Sequence, residues 1–256
     1  MKGKNRRSGI YLLPNLFTTG SLFAAFYSIV ASMQARFEVG AIAIFVGMVA
    51  DGLDGRVARM TNTQTAFGAE YDSLSDMVTF GVAPAILFYS WTLHSLGKVG
   101  WLVAFIYTAA VALRLARFNT QLETADKRYF QGLSCTLAGA LMASFAWFCS
   151  QNDWNNGSFI AIISAVLTII CSLLMVSNIR YNSFKEIDGK GRIPFIYVLG
   201  IVLLFVAIAA NPSLVLLIAA FAYAASGPVK TLFAVQRVRK RRQAIKKSIK
   251  LKNSQK

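Results

Sequence analysis

The residues most able to do chemistry are Asp51, Asp54, Asp72 and Asp76, set in the order Asp51-x-x-Asp54-Gly55-x-x-Ala58-Arg59, eight residues, then Gly68-x-x-x-Asp72-x-x-x-Asp76. On a helix, residues three or four apart share a face, so Asp51 and Asp54 project together and Gly55 and Ala58 complete the stripe. Asp72 and Asp76 are likewise one turn apart. Two such faces meeting would gather hard oxygen donors, the ligand type preferred by Mg²⁺ or Mn²⁺, and two ions can share bridging carboxylates. Gly55, Ala58 and Gly68 leave space in which a large ligand such as a nucleotide can lie against backbone. Arg56 and Arg59 can pair with the acids, as a salt-bridged helix end would, or with phosphate oxygens.

These acids sit beside strongly apolar sequence. The chain has 256 residues, 55% of them hydrophobic and only 15% charged, which is far from the usual soluble composition and reads as an integral membrane protein. Apolar runs of spanning length occur at about 16 to 33, 39 to 59, 72 to 93, 99 to 118, 132 to 150, 158 to 176, 193 to 210 and 213 to 234. The expected fold is therefore an all-α bundle of about eight transmembrane helices. Carboxylates at bilayer depth cost about 2.5 to 3.5 kcal/mol each on insertion scales, so those in the second and third runs need a compensating partner.

Basic residues orient the chain, because short loops rich in Lys and Arg stay in the cytoplasm. With the N terminus inside, 25 of the 27 Lys and Arg fall on the cytoplasmic side, and only Arg36 and Lys98 lie outside. Both termini are then cytoplasmic and the aspartates lie near the cytoplasmic face of a cell (inner) membrane. The organisation expected is one transmembrane domain over 1–235 and a basic cytoplasmic tail over 236–256. That tail, with Arg239-Lys240-Arg241-Arg242, accounts for much of the +16 net charge and suits anionic lipid headgroups better than nucleic acid. The first run, preceded by Lys2, Lys4, Arg6 and Arg7, is too long for a signal core and reads as a retained helix. Cys135, Cys149 and Cys171 lie in apolar runs at no metal-ligand spacing and read as buried packing. His94 falls in a short outer loop with no catalytic role.

The eight defined positions Asp51, Asp54, Gly55, Ala58, Arg59, Gly68, Asp72 and Asp76 resemble the signature of the CDP-alcohol phosphotransferase family. Its members move a phosphatidyl or related group from a CDP-linked donor to an alcohol. Further segments are similar to its membrane-embedded phosphatidylserine synthase branch. These are Pro14-Asn15-Leu16-Phe17-Thr18, Ser73-Leu74-Ser75-Asp76 running into Phe80-Gly81-Val82-Ala83-Pro84, Leu113 to Asn119, and Val176 to Tyr181 with Phe184-Lys185. The chain departs from that branch at Gly132-Leu133-Ser134, where a proline usually follows Gly-Leu.

The resemblance implies a donor, CDP-diacylglycerol, and an acceptor, L-serine, with Mg²⁺ or Mn²⁺ held as two ions and a homodimeric assembly. It implies Asp51, Asp54 and Asp72 as the main metal ligands and Asp76 as the base that also touches a metal, although sequence order alone leaves the individual roles interchangeable. Gly55, Ala58, Arg59 and Gly68 would shape the nucleotide site. Asn15 and Thr18 either contact the nucleotide or cap the first helix. Arg114 and Arg117, three apart and near Asn119, either receive the acceptor's carboxylate or serve as positive-inside anchors. Two other functions compete: a sister transferase using glycerol 3-phosphate or inositol phosphate, and a cation transporter, since intramembrane carboxylates also mark ion pathways. Transporters place such residues near the midplane in both halves of the chain, whereas all four aspartates here fall in one pair of runs.

Overall fold

The computed structural model describes residues 12–61, 63–121, 129–154, 157–182 and 195–231. The basic N-terminal arm, Lys127, Arg128, Phe184, Lys185 and the tail at 236–256 lie outside the described residues. Eight helices occur among those described: α1 Leu12–Met33, α2 Phe37–Thr61, α3 Ala66–Trp91, α4 Lys98–Gln121, α5 Cys135–Gln151, α6 Ser158–Val176, α7 Phe195–Ala210 and α8 Pro212–Thr231. Five of them, α1, α3, α4, α6 and α8, are long and apolar enough to cross a membrane. The others fall short for evident reasons: α2 carries Asp51, Asp54, Arg56 and Arg59, while α5 and α7 have 17 and 16 residues. Large apolar side chains such as Phe23, Phe26, Phe105, Phe159, Phe205 and Phe221 point outward, as lipid-facing residues do.

The helices pack through small residues. Gly40 and Gly47 on α2 lie against α1, where Ser28 Oγ donates to Gly40 O at 2.7 Å and an added Cβ at Gly40 would meet Ser32 Oγ at 2.8 Å. Close approach of this kind replaces the hydrophobic drive that is missing between helices in lipid. Larger side chains, including Phe80, Phe88, Trp91, Tyr107 and Met142, fill the centre among α2, α3, α4 and α5. Cys135, Cys149 and Cys171 are free and buried, in keeping with a packing role.

Two features differ from the pattern of apolar runs. The third helix, expected over 72 to 93, begins at Ala66, because Thr65 caps it by accepting from Gly68 N at 3.0 Å. The chain is also not wholly helical. Strand β1 (Tyr129–Gln131) pairs antiparallel with β2 (Arg180–Asn182), with Phe130 opposite Tyr181. This small ribbon joins the α4–α5 connection to the segment after α6. At its base Gly132 takes φ +76 where a Cβ would strike Met175 O, so only glycine fits.

Candidate active site

The C-terminal half of α2 and the N-terminal half of α3 place the carboxylates at one end of the bundle. Oxygens of Asp51, Asp72 and Asp76 lie within 4.8 Å of one another. Asp72 Oδ1 and Asp76 Oδ1 are buried with no hydrogen-bond partner, and Asp51 and Asp76 approach within hydrogen-bonding reach of each other. Like charges crowded in this way away from water repel strongly unless a cation stands among them. The donor set is all hard oxygen, so the three residues fit a divalent metal ion, which would also give the orphaned atoms a partner.

Asp54 stands slightly apart from this group. It is buried, and its Oδ2 accepts from Thr18 Oγ1 at 2.7 Å. Thr18 lies inside α1, with its hydroxyl also 3.2 Å from Pro14 O, so it caps nothing and instead orients a carboxylate. Asn15 is also internal to α1, its Oδ1 3.4 Å from where a Cβ on Gly68 would be. Any larger residue at 68 would press on both Asn15 and Thr65. Gly55 is open on its free side, with nothing within 4 Å of an added Cβ. Ala58 is half-buried, and Arg59 is exposed with Nε donating to Gly55 O at 2.8 Å. That bond leaves the rest of the guanidinium beside the opening at Gly55.

A ladder of hydroxyls holds α3 against α1. Thr19 Oγ1 lies 2.9 Å from Tyr71 Oη, Ser75 Oγ donates to Thr18 O at 3.2 Å, and Ser21 Oγ lies 3.2 Å from Thr79 Oγ1. These contacts alternate with Asp72 and Asp76 along the helix and set the direction in which both point. The sequence reading assigned no role to Tyr71, Ser73, Ser75 or Thr79, and their spacing relative to the aspartates was the available signal. Immediately after Asp76, α3 widens into a π-helical turn over Met77–Val82. Pro84 explains it: without an N–H it leaves Phe80 O undonated, and its ring would crowd that carbonyl. Tyr107 Oη supplies the missing donor at 2.8 Å.

The two arginines of α4 differ. Arg114 is 8% exposed, with Nη1 3.5 Å from Cys135 Sγ and a buried Nε that has no partner. Arg117 Nη1 instead donates to Val176 O at 3.2 Å and to Asn178 Oδ1 at 3.3 Å, which ties α4 to the end of α6. Asn119 Nδ2 donates to Ser73 Oγ at 3.0 Å, bringing the end of α4 beside the turn that carries Asp72 and Asp76. Arrayed around one end of the bundle are thus a carboxylate cluster, an opening at Gly55 and a buried, incompletely bonded guanidinium. That combination suits a diphosphate held through metal and a small acceptor with an anionic group. His94 is exposed at the opposite end of α3, away from the cluster.

Comparison with known proteins agrees with this geometry. Residues 11–176 match the family model described as CDP-alcohol phosphatidyltransferase. The chain is 34% identical over 197 residues, 77% of its length and 83% of the relative's, to a CDP-diacylglycerol--serine O-phosphatidyltransferase of Helicobacter pylori. It is 32% identical over 174 residues to the Bacillus subtilis protein of the same name, covering 68% of this chain and 92% of that one. An archaetidylserine synthase of Methanothermobacter thermautotrophicus is 31% identical over 193 residues, 75% of this chain and 77% of its own.

Proposed function

The chain belongs to the CDP-alcohol phosphatidyltransferase family, and from that premise we propose that it transfers the phosphatidyl group of CDP-diacylglycerol to the hydroxyl of L-serine, releasing CMP. The observation that carries the reading is the convergence of Asp51, Asp72 and Asp76, with unpartnered oxygens, in a chain whose relatives are named for a serine acceptor. The archaeal relative differs in its lipid name but shares serine, which favours serine over the phosphorylated alcohols of a sister transferase.

Asp51, Asp72 and Asp76 would hold Mg²⁺ or Mn²⁺, with Asp54 completing a two-ion set. An ion bound there would supply positive charge against the donor's diphosphate and the departing CMP. The chain's own groups do the rest. Gly55, Ala58 and Gly68 leave room for the nucleotide, Arg59 and Asn15 stand at its edge, and Thr18 keeps Asp54 turned toward it. Arg114, with its unsatisfied Nε, receives the serine carboxylate, while Arg117 fixes α4 to the end of α6 and Asn119 fixes it to α3. The serine hydroxyl attacks the phosphorus that carries diacylglycerol, the bond to CMP breaks, and the hydroxyl proton passes to Asp76 as general base. A base at Asp51, Asp54 or Asp72 instead is the alternative that single Asp→Asn variants separate.

Eight helices crossing a cell (inner) membrane, with both termini and the active site cytoplasmic, complete the reading. The one-sided distribution of Lys and Arg supports it. One transmembrane domain over 1–235 is supported by the uninterrupted family match and the helices that follow it, and the basic tail at 236–256 would lie on anionic lipid. A homodimer is part of the proposal on the strength of the sequence resemblance alone.

The test is reconstitution in lipid with CDP-diacylglycerol, Mg²⁺ or Mn²⁺, and in turn serine, glycerol 3-phosphate or inositol phosphate, following CMP and the lipid product. Phosphatidylserine formed only with serine and metal supports the reading. Turnover with another alcohol keeps the family and replaces the acceptor, and metal-independent or absent CMP release removes the transferase assignment.

A further inference from the structure

Two prolines inside helices each free a carbonyl four residues earlier, and in both cases a tyrosine hydroxyl from another element takes it. One is the Pro84, Phe80 and Tyr107 arrangement beside the carboxylates. The other lies in α8, where Pro228 has no N–H to offer Ala224 O. Tyr181, on β2, donates its hydroxyl to that oxygen at 3.0 Å. Its ring stacks on Tyr223 with centroids 5.7 Å apart and planes 20° apart, and it rests on Gly227, where an added Cβ would overlap the ring. Gly227 thus removes a side chain and Pro228 removes a donor. Together they make a seat on α8 that a phenylalanine would fill only in part.

The ribbon that carries Tyr181 leads to both arginines of α4. Gly132 N donates to Ile179 O at 2.9 Å and Leu133 N to Leu174 O at 3.0 Å, so the bases of β1 and β2 are fastened together. The β2 side supplies Val176 O and Asn178 Oδ1 to Arg117. The β1 side runs through Ser134, which caps α5 by accepting from Leu137 N at 3.2 Å, to Cys135 and hence to Arg114. Through these contacts the ribbon reaches both guanidinium groups, and Tyr181 anchors the ribbon to α8. The family match ends at residue 176, before Tyr181 and α8 are reached.

We propose that Tyr181 is a positioning residue for the acceptor: by latching the β1–β2 ribbon onto the proline-freed carbonyl of α8, it keeps Arg117 tied to the end of α6 and so holds Arg114 where it receives the acceptor's anionic group. The inference rests on the reading of Arg114 as the receptor for the acceptor's carboxylate. A hydroxyl bonded to a buried carbonyl in a water-poor interior is costly to remove, because the carbonyl is then left without any donor. The cost falls on the joint between α8 and the ribbon.

The experiment compares Tyr181→Phe, Pro228→Ala and the double variant in the full-length reconstituted protein. Tyr181→Phe is expected to raise the acceptor KM about fivefold, typical of couplings transmitted through packed contacts, with the CDP-diacylglycerol KM unchanged and the unfolding temperature lowered. Pro228→Ala restores the helix's own donor to Ala224 O, so the double variant should regain thermal stability yet keep the raised acceptor KM. Recovery of KM together with stability would show that the hydroxyl only satisfies the helix, and an unchanged KM in Tyr181→Phe would equally overturn the proposal. If serine fails and another alcohol is turned over, the same KM comparison is made with that alcohol, so failure of the serine assignment and failure of the latch are told apart. A measurement independent of turnover is maleimide labelling of Cys135 in a Cys149→Ala/Cys171→Ala background. Labelling should rise in Tyr181→Phe and in the double variant as the ribbon loosens, and labelling equal to that of the parent would rule the latch out.

Discussion

Two of the carboxylates of helix α2, Glu38 at its start and Asp51 past its middle, are treated in opposite ways. At its start, Glu38 Oε1 accepts from Trp147 Nε1 at 3.0 Å and from Gln151 Nε2 at 3.1 Å, and Gln151 Oε1 accepts in turn from Ser213 Oγ at 2.6 Å. Every partner is a neutral donor, and the network ties α2, α5 and α8 together. Some thirteen positions along, Asp51 meets only other carboxylates, two of which have buried oxygens with no partner. A satisfied acid stabilises a fold. An unsatisfied cluster stores repulsion that a cation relieves, and it persists only because the hydroxyl ladder from α1 and the packing of α3 hold it in place. The contrast sets an unsatisfied carboxylate cluster at one end of the bundle and structural support at the other.

The contrast breaks most sharply with Asp76→Asn. Loss of the proposed general base should lower phosphatidyl transfer by about a thousandfold, inside the 10²- to 10⁴-fold range for such groups, with the variant still extracted as folded protein. If Asp76→Asn keeps most of its CMP release while Asp51→Asn or Asp72→Asn loses it, the base lies elsewhere in the cluster. Arg114→Gln is expected to come next, raising the serine KM about 10- to 100-fold, the equivalent of a lost charge-assisted hydrogen bond of roughly 1.5 to 3 kcal/mol. Steady-state kinetics with serine varied at saturating CDP-diacylglycerol measures it. Arg114→Lys should not restore wild-type KM, because a lysine lacks the planar fork.

Smaller effects refine the picture. Thr18→Val removes the hydroxyl that bonds Asp54 and should weaken metal-dependent turnover about tenfold, as loss of an outer support for a ligand does; titrating Mn²⁺ against CMP release reads this as a shifted metal requirement. Glu38→Ala, at the satisfied end, should cost about 1 to 2 kcal/mol of stability from the abandoned Trp147 and Gln151 donors and leave kcat unchanged. A thermal unfolding curve alongside an activity assay decides it, and a large loss of activity there would erase the distinction between the two ends.

Much of the candidate site was legible in the chain because its signals are local. The three- and four-residue spacing of Asp51, Asp54, Asp72 and Asp76 places them on helix faces whatever the rest of the molecule does, and the apolar runs on either side mark spans by composition alone. Helix α3 starts six residues before the apolar run at 72 to 93, since Thr65 caps it by accepting from Gly68 N and the helix extends through polar first turns. Arg114 and Arg117 looked equivalent at a spacing of three. Packing separated them, because Arg117 reaches carbonyl and amide oxygens after α6 while Arg114 Nε is sealed without a partner.

From the sequence alone came membrane character, the helical pattern and the residue types able to hold metal and move a proton, since each depends on segment composition or on neighbours within one turn. Only the tertiary structure decided which carboxylates meet and which is drawn off by Thr18. It alone paired Tyr129–Gln131 with Arg180–Asn182, and found for the carbonyls freed by Pro84 and Pro228 their donors in Tyr107 and Tyr181. The physical reason is that a buried polar atom must find a partner somewhere in space, and which residue arrives is set by packing between segments far apart in the chain.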